Sequence, residues 1–220
     1  MSVWAVVAAA GRGERLGAGR PKAFVRLGEL PLLATPLERL DGSDWIDGIV
    51  IAAPPGWEEP AILLAEEIGA SKVSTCVAGG RTRTASVRAA AGEIPPGAAV
   101  ILVHDAARPF VGDDVIERVL APLSEGWDGV VPALPLADTV KRVRGDAVVE
   151  TVQREQLVAV QTPQAFLADG LRSAIAADGD AGDCAELVER RGGRVKVVAG
   201  DPRLLKVTSP ADIELVRAWL

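Results

Sequence analysis

Histidine and cysteine are almost missing from this 220-residue chain, which carries one histidine, His104, and two cysteines, Cys76 and Cys184. A lone histidine nearly excludes a multi-histidine metal centre and argues against a Ser-His-Asp hydrolase. The two cysteines lie far apart and without metal-ligand spacing. Reduced, incidental thiols are therefore expected in place of a disulfide or a zinc site. Long apolar runs are lacking too, and none approaches the length that spans a bilayer. Met1-Ser2-Val3 leads into an apolar stretch with no charged leader or cleavage signal, so a cytoplasmic protein is expected. There is no excess of positive charge: the formal net charge is -6, so nucleic acid and anionic membranes find no global attraction. Any anion site has to be local.

Such a local site is legible in the first loop. The apolar run from Val3 to Ala10 gives way to Gly11-Arg12-Gly13-Glu14-Arg15-Leu16 and closes with Arg20-Pro21-Lys22, crowding four cations into one short segment. An apolar run bounded by glycine predicts a strand buried on both faces, and the glycines let backbone N–H groups approach a bulky anion. The loop is neither a Walker P-loop, because no Gly-Lys-Ser/Thr follows at the required spacing, nor a dinucleotide fingerprint, because Leu16 takes the third glycine position. A tight turn with solvated arginines is the plain alternative.

Beyond it, short apolar runs alternate with longer periodic segments. Strands are predicted over 48–53, 72–77, 98–103, 129–131 and 194–198. Helices are predicted near 32–40, 57–68, 84–91 and 113–123, with a last helix opened by Ser209-Pro210-Ala211-Asp212 as cap, first-turn proline and acid. This alternation implies an α/β fold: a mainly parallel, Rossmann-like open sheet with helices on both faces. One domain over 1–220 is expected. Thr139–Arg144 and Ala147–Val152 flank Gly145-Asp146, which fits a type II′ hairpin and a β-arm at about 137–160 projecting from the body. Such a ribbon is marginal alone, so it is expected to pack on a partner chain.

In open parallel sheets ligands bind beyond the carboxyl ends of the strands. The residues just after each predicted strand form one polar set: Arg15 and Lys22; Gly80, Arg81, Arg83 and Ser86; His104, Asp105 and Arg108; then Thr139, Arg154, Thr162 and Lys206. Each alone has an ordinary use as a cap, a turn or a solvated charge. Their convergence on one sheet edge is what points to a site.

Several of these segments together resemble one family. Ala9-Ala10-Gly11-x-Gly13-x-Arg15-Leu16, Pro21-Lys22, Gly79-Gly80-x-x-Arg83-x-x-Ser86-Val87, His104-Asp105-Ala106-Ala107-Arg108-Pro109, Asp138-Thr139-Val140-Lys141, Thr162-Pro163-Gln164 and Leu205-Lys206-Val207-Thr208 are similar to the 2-C-methyl-D-erythritol 4-phosphate cytidylyltransferases of non-mevalonate isoprenoid biosynthesis, in their monofunctional form. The resemblance implies transfer of CMP from CTP to methylerythritol phosphate. It implies that Arg15 and Lys22 stabilise the transition state at the triphosphate, and that Arg154 and Lys206 position the incoming phosphate. Thr139, Thr162, Asp105 and Arg108 would complete that pocket. Ala8, Ala9, Ala10, Gly11 and Gly13, with Gly80, Arg81, Ser86 and Asp105, would hold the nucleotide. Mg2+ or another divalent cation would ride mainly on the CTP phosphates, with no protein ligand named. A homodimer through the β-arm is expected, with Arg154 crossing into the neighbour's site; no nucleic-acid or membrane partner is expected.

Five positions depart from the family pattern. Gly182-Asp183-Cys184-Ala185 stands where members often carry Thr-Asp-Asp-Ala, Leu204 where an asparagine is common, Gln153 where aspartate often precedes Arg154, and Ala23 where glutamine usually follows Lys22. These leave open a cytidylyltransferase for another alditol phosphate such as ribitol 5-phosphate, or a silent nucleotide-binding regulator.

Overall fold

A computed structural model describes residues 1–17, 19–176 and 179–220. In chain order the elements are β1 (Val3–Ala8), β2 (Arg26–Leu27), β3 (Leu30–Pro31), α1 (Ala34–Asp41), β4 (Gly48–Ala53), α2 (Glu58–Glu67), β5 (Val73–Ala78), α3 (Arg83–Gly92), β6 (Val100–Asp105), α4 (Asp113–Leu120) and β7 (Gly129–Pro135). There follow β8 (Val140–Arg144), β9 (Ala147–Val152), β10 (Val158–Val160), β11 (Gln164–Leu167), α5 (Ala168–Ala176), α6 (Cys184–Arg190), β12 (Val195–Ala199) and α7 (Pro210–Arg217).

The sheet is parallel through β5, β4, β1 and β6. β11 then runs antiparallel to both β6 and β7, and β12 continues in parallel along the other edge of β7. β10 takes the remaining part of the β11 side of β7, pairing antiparallel at Ala133–Pro135. Every residue of β4 and β6 is buried, as expected of strands covered on both faces. At about 1.5–3 kcal/mol per buried aliphatic side chain, residues such as Ile49, Ile51, Ile101 and Leu102 dominate the stabilisation of this centre. α4 shows why the flanking segments are helical: Val115, Ile116, Val119 and Leu120 bury one stripe, while Asp113 and Asp114 sit at the positive end of its dipole. Ser209 and Asp212 form a capping box that starts α7 with Pro210 in its first turn. No helix among the described residues is long and apolar enough to cross a membrane.

Two of the boundaries that differ from the sequence expectation bear on the site. β1 ends at Ala8, so Ala9 and Ala10 belong to the loop. β6 runs to Asp105, so His104 and Asp105 are inside the strand, not after it. Hydrophobicity stops at Val103, but long-range polar contacts bury the next two residues and let the ladder continue to Ala8↔Asp105. The β8–β9 hairpin forms as expected, with φ +58° at Gly145 and no positive φ at Asp146, which fits type II′ and not type I′. The pairing passes from Arg142↔Glu150 to Val143↔Val148, leaving Val149 as a bulge.

A third apolar cluster lies apart from the two that cover the sheet. Leu16 of the first loop, Leu27 and Leu32 by the β2–β3 hairpin, Phe110, Val207 and Val216 of α7 pack together, with Leu205, Ile213 and Trp219 against them. It joins the loop carrying Arg15 to the loop carrying Lys206.

Candidate active site

The carboxyl ends of the parallel strands open into a cleft of about 660 Å³. Ala8, Ala9, Ala10, Gly11 and Lys22 line it beyond β1, Gly80, Arg81 and Ser86 beyond β5, and Asp105 and Lys206 at its far side. These ten residues, all singled out from sequence, thus do meet in one cavity of a size suited to a small ligand.

Lys22 opens a short 3-10 turn, Lys22–Phe24, whose first N–H donates to the Gly11 carbonyl at 3.2 Å and folds the loop back on itself. Gly13 does not line the cleft. It lies behind Lys22 at φ +69°, and a Cβ built there would come within 2.8 Å of the Lys22 Cβ. The glycine therefore serves the lysine's seat. The backbone of Arg15 lies in a 3-10 turn, Glu14–Leu16, closed by Gly17; its side chain lies outside what the structure describes. Phe24, buried beneath, meets Trp57 with ring centroids 4.6 Å apart, and Trp57 with Pro54 and Pro55 forms a further wall of the cleft.

On the β5 side, the buried hydroxyl of Ser86 accepts from the Gly80 N–H at 3.1 Å and donates to the Thr82 carbonyl at 2.9 Å. Ser86 thus shapes the Gly79-Gly80 turn as well as lining the cavity. Thr82 caps α3 by accepting from the Ala85 N–H.

Asp105 is the electrostatic centre. Its side chain is 9% exposed, and both oxygens hold cations: Oδ1 accepts from Arg83 Nε at 3.0 Å and Oδ2 from Lys206 Nζ at 2.6 Å. Burial alone pushes its pKa up; Arg83 and Lys206 overcome that and hold the carboxyl well below the ordinary carboxylate range. The Lys206 segment is fixed from beneath, where Leu204 is fully buried, its carbonyl accepts from Arg108 Nη1 at 2.5 Å, and the Val207 N–H donates to the Ala107 carbonyl at 2.8 Å. Leu204 takes this apolar place where the family often has asparagine.

Arg108 and Thr162 are buried and do not line the cleft. The Thr162 hydroxyl accepts from the Asp105 N–H at 3.0 Å and lies 3.3 Å from His104 Nδ1. His104 Nε2 is 2.9 Å from the Arg108 carbonyl, which only accepts, so the neutral ring donates there and accepts from Thr162 at Nδ1. Burial pushes the His104 pKa down to about 4, which keeps the ring neutral. His104 and Thr162 therefore brace the strand end from behind.

Thr139 and Arg154 are exposed at the two ends of the arm, away from the cleft lining; Arg154 donates to the Ala137 carbonyl. Along the arm Val143, Val148 and Val149 stay 60%, 60% and 52% exposed.

Arg83, Cys184 and Trp57 belong to the site although sequence reasoning assigned them no role. Arg83 lay inside a quoted motif, but its partners are distant in sequence. Cys184, read as incidental, is buried with Sγ 3.4 Å from Arg83 Nη1. Trp57 is an apolar residue at the start of a helix, with no signal to distinguish it from core. No group of three or more His, Cys, Asp or Glu able to hold a metal exists among the described residues.

Comparison with known proteins agrees with this geometry. The family model for 2-C-methyl-D-erythritol 4-phosphate cytidylyltransferase matches residues 3–220. The chain is 46% identical over 220 residues to the protein of that name from Nocardia farcinica, covering all of this chain and 94% of the relative. It is 47% identical over 225 residues to that from Saccharopolyspora erythraea, covering both chains fully. The crystal structure of the Thermus thermophilus enzyme superposes with TM-score 0.80 at 32% identity, over 100% of this chain and 98% of that one.

Proposed function

This chain belongs to the 2-C-methyl-D-erythritol 4-phosphate cytidylyltransferase family, and on that premise we infer that CTP and its acceptor meet in the cleft beyond β1, β5 and β6. The protein is a nucleotidyltransferase: it transfers CMP from CTP to 2-C-methyl-D-erythritol 4-phosphate, giving 4-diphosphocytidyl-2-C-methyl-D-erythritol and pyrophosphate. The observation that supports the location best is the convergence of Lys22, the Gly79-Gly80 turn and the Lys206–Asp105–Arg83 cluster on one cavity.

The acceptor phosphate is largely dianionic near neutrality, because its second pKa is about 6, so it attacks the α-phosphorus without a base. The neutral, buried His104 is accordingly not needed for proton transfer. The barrier is repulsion between polyanions and charge gathering on the leaving pyrophosphate, and fixed cations oppose both. Lys22 and Arg15 serve the triphosphate end, and Lys206 meets the acceptor phosphate. Backbone at Ala8–Gly11, with Gly80, Arg81 and Ser86, holds the nucleoside.

A divalent cation such as Mg2+ accompanies CTP. Both Asp105 oxygens are held by cations, which supports a reading in which the ion would ride mainly on the CTP phosphate oxygens. When bound, it neutralises phosphate charge.

Thr139 and Arg154 act in a neighbouring copy's cleft. Their position on an arm with exposed valines supports a homodimer with crossed arms, and the chain works in the cytoplasm. Pyrophosphate release from CTP with methylerythritol phosphate, ribitol 5-phosphate or no acceptor tests the reaction. Release is expected with the first alone; equal release with ribitol phosphate overturns the acceptor assignment. Mixing Lys22→Ala with Arg154→Ala chains under exchange tests the arm, since crossed sites restore about a quarter of wild-type activity from statistical mixing. Activity at the parental average despite exchange refutes it.

A further inference from the structure

We propose that Arg83 is a positioning residue for this reaction: it fixes the Asp105 carboxylate, which in turn aims the Lys206 ammonium at the acceptor phosphate, and the uncharged Cys184 keeps Arg83 committed to that carboxylate. The proposal rests on the functional reading above. Its basis is one chain of contacts. Arg83 stands on the first turn of α3, which Thr82 caps, so its backbone is held. Its Nε reaches Asp105 Oδ1 at 3.0 Å while Lys206 Nζ holds Oδ2 at 2.6 Å. Asp105 itself is fixed within β6, so the carboxylate is the rigid link between a helix on one side and a loop on the other.

The far side of the guanidinium meets sulfur and not a second carboxylate. Nη1 lies 3.4 Å from Cys184 Sγ, and Nη2 is buried with no partner among the described residues. Burial pushes the Cys184 thiol pKa up, so it stays neutral. The cluster of two cations and one anion thus keeps a net positive charge beside the cleft. The aspartate that relatives often carry at 184 would share Arg83 and lower that charge, so the undivided commitment of Arg83 to Asp105 is a feature of this chain.

The groups facing Asp105 are Arg83 from α3, Lys206 from the loop after β12, Arg108 from the following turn, the neutral His104 beside it in β6, and Cys184 from α6. Burial raises the carboxyl and the cations lower it, so removing Arg83 lets burial reassert itself. In Arg83→Met, KM for the acceptor is expected to rise about tenfold, as for a lost charge-assisted hydrogen bond, with CTP affinity changed less than about twofold. The acid limb of kcat/KM should also move to higher pH, because Asp105 then protonates at a higher pH than in wild type. Arg83→Lys should restore the limb in part. Cys184→Ser should leave it unchanged, and Cys184→Asp should shift it in the same direction as Arg83→Met.

A merely structural arginine predicts a different result: activity falls evenly, and the Arg83→Met profile superimposes on wild type after scaling. That outcome overturns the proposal, and an unshifted Cys184→Asp overturns the part given to the thiol. If Arg83→Met does not fold, Arg83→Lys and Cys184→Asp carry the test. Carbon-13 NMR titration of the Asp105 carboxyl in the unliganded protein, assigned with Asp105→Asn, reads the same shift without turnover. Should the enzyme prefer another acceptor, the functional reading falls while this titration still judges Arg83.

Discussion

Replacing Gly13 by alanine isolates the seat of Lys22 from the chemistry of Lys22. At φ +69° an L side chain costs about 1–2 kcal/mol of backbone strain, whatever space surrounds it. Here there is no space: the new Cβ meets the Lys22 Cβ at 2.8 Å, its Cα at 3.1 Å and its N at 3.2 Å, so the lysine's backbone has to move by some tenths of an ångström or more. A displacement approaching 1 Å at a catalytic group costs about a hundredfold in rate. A tenfold to hundredfold fall in kcat is therefore expected, with CTP affinity nearly intact because the nucleoside walls are untouched. Gly69→Ala is the matched control. It stands at φ +70° with nothing within 4 Å of the added Cβ, at the end of α2 and remote from the cleft. It should lose stability by the strain alone and keep its rate. Urea titrations of both variants supply the stability loss, and single-turnover kinetics at saturating CTP supply the rate. If Gly13→Ala turns over within about twofold of Gly69→Ala, the contact with Lys22 has no functional weight and the account of that loop is wrong.

Lys22→Ala is expected to lower kcat about 100–1,000-fold while calorimetry shows little change in CTP affinity, as for a cation that faces charge developing in the transition state; lost CTP binding with a normal single-turnover rate would contradict this. Gly182→Thr restores the hydroxyl common in the family, and its Cβ meets Glu186 Oε2 at an ordinary 3.5 Å. It should lower acceptor KM by several-fold at most, since one hydrogen bond contributes about 0.5–1.5 kcal/mol; tighter use of ribitol phosphate instead would count against the acceptor. Asp212 begins α7. Burial pushes its pKa up, but the N–H and hydroxyl of Thr208 and the N–H and hydroxyl of Ser209 outweigh that and pull it down to about 2. With a folded pKa below the unfolded one, its stabilisation is complete above the unfolded value, about 3.9, and is lost as pH falls through about 2. Melting temperatures of Asp212→Asn should accordingly fall less steeply between those two pH values than wild type; parallel curves would remove the cap from the account.

What the sequence made legible was whatever periodicity carries. β1, β4 and β5 follow from short apolar runs, and α2 and α3 from the longer segments between them. The hairpin follows from Gly145-Asp146. β11 was missed because Gln164–Leu167 is four residues long and follows a Thr-Pro pair that looks like a turn. The end of β6 was missed for another reason. His104 and Asp105 are polar, and what buries them comes from Thr162, Arg83 and Lys206, 22 to 101 residues away along the chain. The same limit applies to the site: Lys22, Gly80 and Lys206 stand in short motifs, but whether Arg83 faces Asp105, a thiol or both depends on how α6 docks. Thr162 and Arg108 stand in motifs too, and here the Thr162 hydroxyl accepts from the Asp105 N–H while Arg108 Nη1 donates to the Leu204 carbonyl, contacts that only the folded chain brings about.

The order in which a ribosome emits these parts follows from the Lys206–Asp105 pair, whose members are 101 residues apart. The cleft-lining residues Gly11, Lys22 and Gly80, with the strand that bears Asp105, all lie in the first half of the chain and are translated first. Until Lys206 emerges, Asp105 has only Arg83 as a close counter-ion, and the far wall of the cleft is missing. The cleft is thus closed last, by the segment that also packs Val207 and Val216 against Leu16 of the first loop.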